Sequence, residues 1–278
     1  YRKFLSTYIK CHIVRALKKI VGGGSDPSRI RVALVIDEYF GACGTAYGGY
    51  GFLARNYIAR YLPDTNISID VLLSNYSRRK FAFHARCEKV EGRNVITPPG
   101  RFFAKRWLKR KNYDLYLTIE LTHNLLKPII HWIQDPRPWS EWQEIHTVKL
   151  FPEKSYWDSG LYDTVHKLYN KGQVTFVSQG YFLNDKARQL YRLPYDAPIA
   201  YMPNPIDIDY EFDPLHYQKK NHILFIGRIE SVKRGWLFCE IARQMPQYEF
   251  FMLGQTYWEK SENEKVMAGY HDIPNLHF

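Results

Sequence analysis

Short apolar runs alternate with helix-periodic segments along most of the chain. The first apolar run is Arg31–Ile36, which is rich in β-branched residues and predicts a buried strand. A glycine-rich loop, Gly41–Gly51, follows it, and Phe52–Leu62 then predicts a helix that Pro63 ends. A strand, a glycine loop and a helix in this order are typical of the opening of a doubly wound α/β domain.

The same alternation continues to about residue 205. A basic helix is predicted at Arg101–Lys111, and another helix follows Ser178 and runs through Leu190. The further predicted strands are Ile67–Leu73, Asn94–Thr97, Asp114–Ile119, Pro128–Ile133, Thr175–Ser178 and Ile199–Met202. Because strands and helices alternate, we expect a mainly parallel, Rossmann-like sheet.

The composition changes near residue 205, where residues 203–214 are rich in proline and acidic side chains. This segment predicts an interdomain connection, after which a second α/β unit begins. Its predicted strands and helix are Ile223–Gly227, Gly235–Gln244, Glu249–Leu253 and Asn275–Phe278. We therefore expect an amino-terminal domain over residues 25–205, followed by residues 206–278 as the interdomain segment and the start of an incomplete second domain.

Residues 1–24 form a separate segment in this scheme. Apolar residues such as Phe4, Ile9, Ile13 and Leu17 recur at helical spacing with lysines between them, and Gly22–Gly24 end the pattern. Such a basic amphipathic helix can lie in a membrane interface, or it can dock on its own domain. Charge interrupts the apolar residues, so the segment is not a secretory signal.

Composition excludes several classes of protein. The 278 residues carry a formal charge of +11 and are 45% hydrophobic, as expected for a folded protein that can bury a real core. No apolar run approaches the roughly 18–20 residues that span a bilayer. The four cysteines, Cys11, Cys43, Cys87 and Cys239, have no close partner in sequence, which argues against a zinc knuckle or a disulfide scaffold and favours a reducing, cytoplasmic location.

The positive charge is concentrated in two segments. Residues 1–29 hold seven Lys and Arg against one acidic residue, and residues 78–111 hold twelve against two, so the rest of the chain is −5. No nucleic-acid recognition motif accompanies this charge, and we expect no nucleic-acid partner. An anionic membrane surface and a simple solvated surface are both consistent with it.

Candidate chemistry first appears at the end of the strand Ile223–Ile226. Gly227 and Arg228 end that strand, and Lys233 precedes the next helix. Ligands of parallel sheets bind beyond the carboxyl ends of the strands, where a glycine, a guanidinium and an ammonium suit a diphosphate. The alternative is that Arg228 and Lys233 are ordinary surface charges.

Several motifs in order resemble the family-four retaining glycosyltransferases, which have the GT-B fold. Ile223–Gly235 is similar to their donor-phosphate motif, and Tyr201–Asp207 is similar to their interdomain Pro-Asn-x-hydrophobic-Asp segment, which contains Asn204. The segments Thr175–Ser178, Phe250–Gly254 and Asn275–Phe278 resemble the family's adjoining strands. The resemblance implies that Arg228 and Lys233 neutralise the diphosphate of a nucleotide sugar, with Gly227 beside them.

The resemblance extends less specifically into the first half. The loop that contains Gly48 and Gly49 is similar to the family's amino-domain loop, which approaches the donor phosphates and the acceptor. Its glycines do not have the Gly-x-Gly-x-x-Gly spacing of a dinucleotide site.

The strand Pro128–Ile133 resembles the one that ends in His-Asp in many members, but here it ends in Gln134-Asp135. We take Gln134 and Asp135 as the candidate catalytic residues: Gln134 can hydrogen-bond a sugar hydroxyl but cannot titrate, and Asp135 can do so or orient a neighbour. The alternative for Asp135 is a turn cap before Pro136. Glu120, Trp139 and Asn204 are candidate contacts to sugar or acceptor, although Trp139 fits a core position equally well.

One departure concerns the late part of the second domain. Retaining members carry a Glu-x-x-x-x-x-x-x-Glu pair there, and this sequence ends at Phe278 before such a pair occurs. We therefore expect an amino-domain-rich fragment of a longer enzyme that is poorly active alone.

The sequence thus predicts a metal-independent hexosyl- or deoxyhexosyltransferase without a cofactor. Its expected partners are a nucleotide diphosphate sugar, a glycan or lipid-linked acceptor of cell-envelope or exopolysaccharide synthesis, and the inner face of an anionic membrane. The alternative is a GT-B-like binding or scaffold module that has lost catalysis.

Overall fold

The structure is a computed structural model that describes residues 30–63, 66–74, 81–141, 159–208, 211, 213, 215, 218–229, 233–256 and 260–278. The amphipathic helix predicted within residues 1–24, the arginines and lysine at 78–80 and the middle of the Gly227–Gly235 motif lie outside the described residues. Contacts divide the chain into two compact units: Tyr1–Pro136 with Asp158–Ile206, and Arg137–Trp157 with Asp207–Phe278. The change of unit after Ile206 lies next to the predicted boundary, but the prediction did not separate Arg137–Trp157 from the amino-terminal domain.

Unit 1 contains an eight-stranded sheet in the order β3-β4-β2-β1-β5-β6-β7-β8. Every neighbouring pair is parallel except β3 with β4, which confirms the predicted α/β class with a mainly parallel sheet. The strands are β1 Ile30–Ile36, β2 Ile67–Leu73, β3 Arg86–Val90, β4 Arg93–Thr97, β5 Leu115–Ile119, β6 Ile129–Ile133, β7 Val174–Ser178 and β8 Ile199–Tyr201.

Continuous apolar runs form the centre of this sheet because both of its faces are covered. All residues of β5 and β6 are buried, as are the last five of β1. Alternate side chains enter two separate cores, so Leu34 packs in one and Val35 in the other. This is why the sequence shows uninterrupted hydrophobic runs instead of alternation at these strands.

Helices cover both faces of the sheet. The first, α1, runs from Gly49 to Tyr61 and contains a π-helical stretch at Ala54–Ile58. The others in unit 1 are α2 Arg101–Lys111, α3 Ser159–Asn170 and α4 Asn184–Tyr191. Side chains of α1 pack in the core with Leu34, whereas α2, α3 and α4 pack in the core with Val35.

Two elements of unit 1 were not predicted. The edge strand β3 is made mostly of exposed and charged residues, and it pairs antiparallel with β4 across the two-residue turn Glu91–Gly92, both at positive φ. Its pattern carries no burial signal because four of its five residues are exposed. The helix α3 was also absent from the sequence prediction.

Unit 2 contains three parallel strands in the order β11-β10-β9. They are β9 His222–Ile226, β10 Glu249–Leu253 and β11 Leu276–His277, connected by helices α5 Gly235–Gln244 and α6 Lys260–Ala268. Both helices pack on one face of this sheet. On the other face Leu224, Ile226 and Leu253 remain exposed.

The amide of Asn275 joins the elements of unit 2. It is buried, and its Nδ2 lies 3.0, 3.1 and 2.9 Å from the carbonyl oxygens of Ala242, Met245 and Tyr248. These carbonyls follow or end α5, where a helix leaves acceptors without an internal donor. The side chain therefore closes the end of α5 onto the strand β11.

We expect Asn275→Ala to lower the free energy of unfolding of unit 2 by about 1–3 kcal/mol, because buried carbonyls would lose their donor. Urea unfolding followed by far-UV circular dichroism measures this change. The matched control is Asn221→Ala, an exposed asparagine of the same unit, which should change stability by less than about 0.5 kcal/mol. Equal effects of the two substitutions would contradict the bridging role.

Candidate functional site

Polar side chains gather at the carboxyl ends of strands β5 to β8 in unit 1. Glu120 follows β5, Gln134 and Asp135 follow β6, Gln179 follows β7, and Asn204 lies three residues beyond β8. Because these strands are parallel and adjacent, their carboxyl ends meet at one edge of the sheet. We refer to these five residues as the carboxyl-edge cluster.

Three amide side chains form the inner part of this cluster. Gln134 Nε2 donates to Asn204 Oδ1 at 2.9 Å, and Asn204 Nδ2 donates back to Gln134 Oε1 at 3.0 Å. Asn204 Nδ2 also lies 2.7 Å from Gln179 Oε1, and Gln179 Nε2 donates to the backbone carbonyl of Gln134. Gln134 is only 3% exposed. The structure thus joins the predicted residues Gln134 and Asn204 in one fixed amide network.

Glu120 holds the backbone of the same loop. Its Oε1 accepts the backbone N–H of Gln134 and, at 2.8 Å, the backbone N–H of Asp135. Its own backbone N–H donates to Trp132 O at 3.1 Å, and its φ of 48° turns the chain out of β5. The carboxylate therefore fixes the direction in which the end of β6 presents Gln134 and Asp135.

A buried chain of hydrogen bonds connects Glu120 to side chains inside the core of unit 1. Thr118 Oγ1 lies 3.2 Å from His131 Nδ1, His131 Nε2 lies 3.1 Å from the Tyr191 hydroxyl, and that hydroxyl lies 3.5 Å from Glu120 Oε2. If Thr118 donates first, every donor in the chain has an acceptor and the chain ends on the carboxylate. The orientation of Glu120 is therefore tied to side chains on β5, β6 and α4.

Burial shifts two pKa values in this chain in opposite senses. Desolvation raises the pKa of Glu120 to about 7, and hydrogen bonds from the Gln134 and Asp135 backbone oppose that rise. The same desolvation lowers the pKa of His131 to about 4, so its imidazole is neutral near pH 7. Glu120 as a residue is half-buried, and its carboxyl oxygens accept hydrogen bonds from Gln134, Asp135 and Tyr191.

The other two predicted contacts around β6 have different surroundings. The side chain of Asp135 is exposed, so it projects from the loop that Glu120 holds. Trp139 is 43% exposed and belongs to unit 2, which rules out the core position that was its alternative. It is not a member of the carboxyl-edge cluster. Their predicted roles toward a sugar stay predictions.

The glycine loop after β1 contains a carboxylate that the sequence analysis did not select. Glu38 Oε1 accepts the backbone N–H of Gly51 at 2.9 Å, within the first turn of α1. A Cβ at Gly48 would collide with this carboxylate, whereas a Cβ at Gly49 would meet open space. Of the two glycines predicted to approach phosphates, Gly48 therefore lies against the Glu38 carboxylate, whereas Gly49 has open space at its Cβ position.

In unit 2 the predicted phosphate residues lie at the carboxyl edge of the three-stranded sheet. Gly227 follows β9 and donates its backbone N–H to Leu253 O at 3.0 Å, and Arg228, which is half-buried, comes next. Gly254 lies directly against the Gly227 carbonyl, with no room for a Cβ. Lys233 is exposed and stands two residues before α5. The arrangement leaves both cations at the end of the sheet where ligands of parallel folds bind.

Two further observations concern ligands and membranes. In the described ranges, no set of three or more His, Cys, Asp and Glu side chains is arranged to hold a metal ion. Within the same ranges, no helix combines the length and the apolarity that crossing a bilayer requires.

The chain matches no protein-family model, and no curated protein matches its sequence. A solved structure, the glycosyltransferase from Rickettsia africae ESF-5, is similar in fold with a TM-score of 0.54 and 13% sequence identity. The match covers 90% of this chain and 68% of that one. At this identity the likeness establishes the α/β fold.

Sequence reasoning missed Glu38, Gln179 and the Thr118–His131–Tyr191 chain. Glu38 and Gln179 each lie within two residues of a predicted strand end, which is a signal that a search of all strand ends would have used. The buried chain has no such signal, because Tyr191 reaches His131 from a helix 60 residues away.

The raised pKa of Glu120 predicts a measurable pH dependence of stability. Between pH 4.5 and 7 the unfolded state releases the Glu120 proton while the folded state retains it, so this residue lowers stability as pH rises. The loss is at most about 3 kcal/mol and is complete above pH 7. Glu120→Gln should remove this pH-dependent loss. In urea unfolding, the free energy of unfolding of the variant minus that of the parent should therefore increase as the pH rises from 5 to 8.

His131 acts in the opposite direction over part of this range, because its lowered pKa destabilises the fold as pH falls below about 6.5. The difference between parent and variant isolates Glu120, since both retain His131. Asp163→Asn, which removes an exposed carboxylate of unit 1, is the matched control. Parallel pH profiles for the parent and Glu120→Gln would show that Glu120 titrates normally.

Proposed function

We propose that this chain is a glycosyltransferase that uses a nucleotide diphosphate sugar as donor. The observation that carries the proposal is the placement of Gly227, Arg228 and Lys233 at the carboxyl edge of the unit 2 sheet. The fold is similar to that of a solved glycosyltransferase, which supports the same assignment. The GT-B fold contains two Rossmann-like units, which agrees with the presence of two mainly parallel sheets in this chain.

The leaving group explains why cations are needed. When the sugar departs, the nucleotide diphosphate gains negative charge on its oxygen, and fixed cations stabilise the transition state more than the ground state. Arg228 supplies a planar fork of donors, and Lys233 supplies a compact charge. In this proposal the two side chains do the work that a metal does in other enzymes, and no cofactor takes part.

The carboxyl-edge cluster suits recognition of a sugar. Sugar hydroxyls both donate and accept hydrogen bonds, and the amides of Gln134, Gln179 and Asn204 offer both kinds of group. The exposed carboxylate of Asp135 adds an acceptor beside them. We assign Gln134 and Asp135 the contacts nearest the transferred sugar, with Asn204 and Glu120 positioning them. Trp139 and Gly49 are the proposed further contacts to acceptor and donor.

The finer points of the proposal follow the sequence resemblance. They are retention of anomeric configuration, a hexosyl or deoxyhexosyl group, and a glycan or lipid-linked acceptor of cell-envelope or exopolysaccharide synthesis at the inner face of the membrane.

One observation favours a second candidate, a GT-B-like binding module without catalysis. Gln134 cannot titrate, and its amide is already bound to Asn204 in both directions. Such a module would bind the nucleotide sugar without cleaving it. Release of free nucleotide diphosphate during incubation with donor and acceptor distinguishes the enzyme from the module.

We expect Arg228→Ala and Lys233→Ala each to weaken binding of the cognate nucleotide diphosphate sugar at least tenfold, because each removes a positive charge from the phosphates. A thermal-shift screen of the unmodified protein against UDP-, GDP- and dTDP-sugars first identifies the donor. Titration calorimetry with that donor then measures the loss in each variant, and transfer rates should fall further than affinity.

Arg243→Ala is the matched control, because Arg243 belongs to the same unit and its guanidinium pairs with Glu240 on the helix surface. It should leave donor binding unchanged. Normal donor binding by both Arg228→Ala and Lys233→Ala would refute the phosphate assignment, whatever the catalytic activity of the parent.

A further inference from the structure

Three phenylalanines of unit 1 are exposed beside the helix α2. Phe81, Phe83 and Phe102 are 72%, 70% and 61% exposed. Single exposed apolar residues are ordinary on protein surfaces, but a group of large rings in one place marks a site of interaction. The position of this group is therefore informative.

Ring contacts and a backbone hydrogen bond hold these phenylalanines against the start of α2. The rings of Phe81 and Phe102 stack with centroids 5.5 Å apart, and those of Phe83 and Phe103 lie 4.8 Å apart. Between them, the N–H of Gly100 donates to Ala82 O at 2.7 Å. The three exposed rings thus form one patch at the amino-terminal end of the helix.

The outer face of α2 continues this patch with positive charge. Ala104 and Leu108 face the core, while Lys105, Arg106, Lys109 and Arg110 are exposed and follow Phe102 at helical spacing. The helix contains no acidic residue. Together, Phe81, Phe83, Phe102 and these four cations form what we call the aromatic-basic surface.

Helix electrostatics explain only part of this charge. Lys109, Arg110 and Lys111 lie in the last turn, where cations stabilise a helix, but Arg101 lies in the first turn, where they do not. Over residues 81–111 there are nine Lys and Arg against two Glu. One of these, Glu91, is paired with Arg55 at 2.6 Å. The positive charge of this segment therefore exceeds what stabilisation of the helix end accounts for.

The combination of rings and cations identifies the partner. Positive charge alone would suit any polyanion, whereas exposed phenylalanine rings gain free energy when they leave water for the boundary between headgroups and acyl chains. Lys and Arg at the same surface are attracted to anionic headgroups. We propose that the aromatic-basic surface docks unit 1 on an anionic lipid bilayer.

This inference names a surface for the membrane location given under the proposed function, but it uses none of the residues of the carboxyl-edge cluster or the phosphate motif, so either can fail without the other. It also differs from docking by residues 1–24, because its residues lie between positions 81 and 110 of the sequence.

Vesicle sedimentation of the full chain tests the proposal. The vesicles contain phosphatidylcholine alone or with 30 mol% phosphatidylglycerol, a composition that supplies negative charge without a specific headgroup. We expect retention on the anionic vesicles only. The triple variant Phe81→Ser, Phe83→Ser, Phe102→Ser and the quadruple variant Lys105→Gln, Arg106→Gln, Lys109→Gln, Arg110→Gln should each weaken the apparent affinity at least tenfold.

Two matched controls remove the same kinds of side chain elsewhere. Phe182→Ser removes another exposed ring of unit 1, and the quadruple change of Lys167, Lys171, Lys219 and Lys220 to Gln removes four exposed lysines. Both should bind within twofold of the parent. Unfolding temperatures within a few degrees of the parent confirm that every variant folds.

Several outcomes would overturn the proposal. They are equal binding to neutral and anionic vesicles, no binding by the parent, and full binding by either test variant. Loss of binding only when residues 1–21 are deleted would transfer the docking role to that segment. Tighter binding to a 20-base-pair DNA duplex than to anionic vesicles, unaffected by the phenylalanine changes, would identify a nucleic-acid surface instead.

Discussion

The pairing of the Glu120 carboxylate with two backbone N–H groups is the interaction on which the candidate site depends. The end of a parallel strand leaves donors that its neighbours no longer satisfy, and Glu120 satisfies those of Gln134 and Asp135. The carboxylate stays buried only because it has donors on both oxygens, with Tyr191 on the second. Removing the carboxylate would therefore release the loop that carries both candidate catalytic residues.

The candidate residues of unit 1 and unit 2 differ in the kind of group they offer. The amides of Gln134, Gln179 and Asn204 do not titrate, so their geometry holds at any pH at which the unit folds. The groups that carry charge in the proposed reaction, Arg228 and Lys233, lie in the other unit. The proposed function thus assigns recognition of uncharged hydroxyls and stabilisation of a charged leaving group to different sheets.

The sequence was sufficient for elements whose signal is local. The bounds of β2, β10, α2 and α5 were predicted without error, because apolar runs and proline or glycine boundaries mark them. The strand β3 was not predicted, because its residues are charged and exposed and their strand conformation comes only from pairing with β4.

The candidate site, like the fold, was predictable from sequence only where the signal is local. Strand ends can be located from sequence, and Glu120 and Gln134 were selected from strand ends, whereas Asn204 was selected from the family resemblance. The structure brings the three side chains to one sheet edge. Their hydrogen bonds were not predictable, because they join residues up to 71 positions apart through the strand order β5-β6-β7-β8. That order is a property of the whole sheet, and no local pattern encodes it.

The helix α2 shows that a correctly predicted element can still leave its surroundings undetermined. Its bounds follow from local pattern, but Phe102 lies about 200° around the axis from Ala104, so one sheet cannot bury both. Ala104 and Leu108 pack in the core, so the ring of Phe102 stays exposed. In the proposed docking, that ring leaves water for the lipid bilayer instead of for the core.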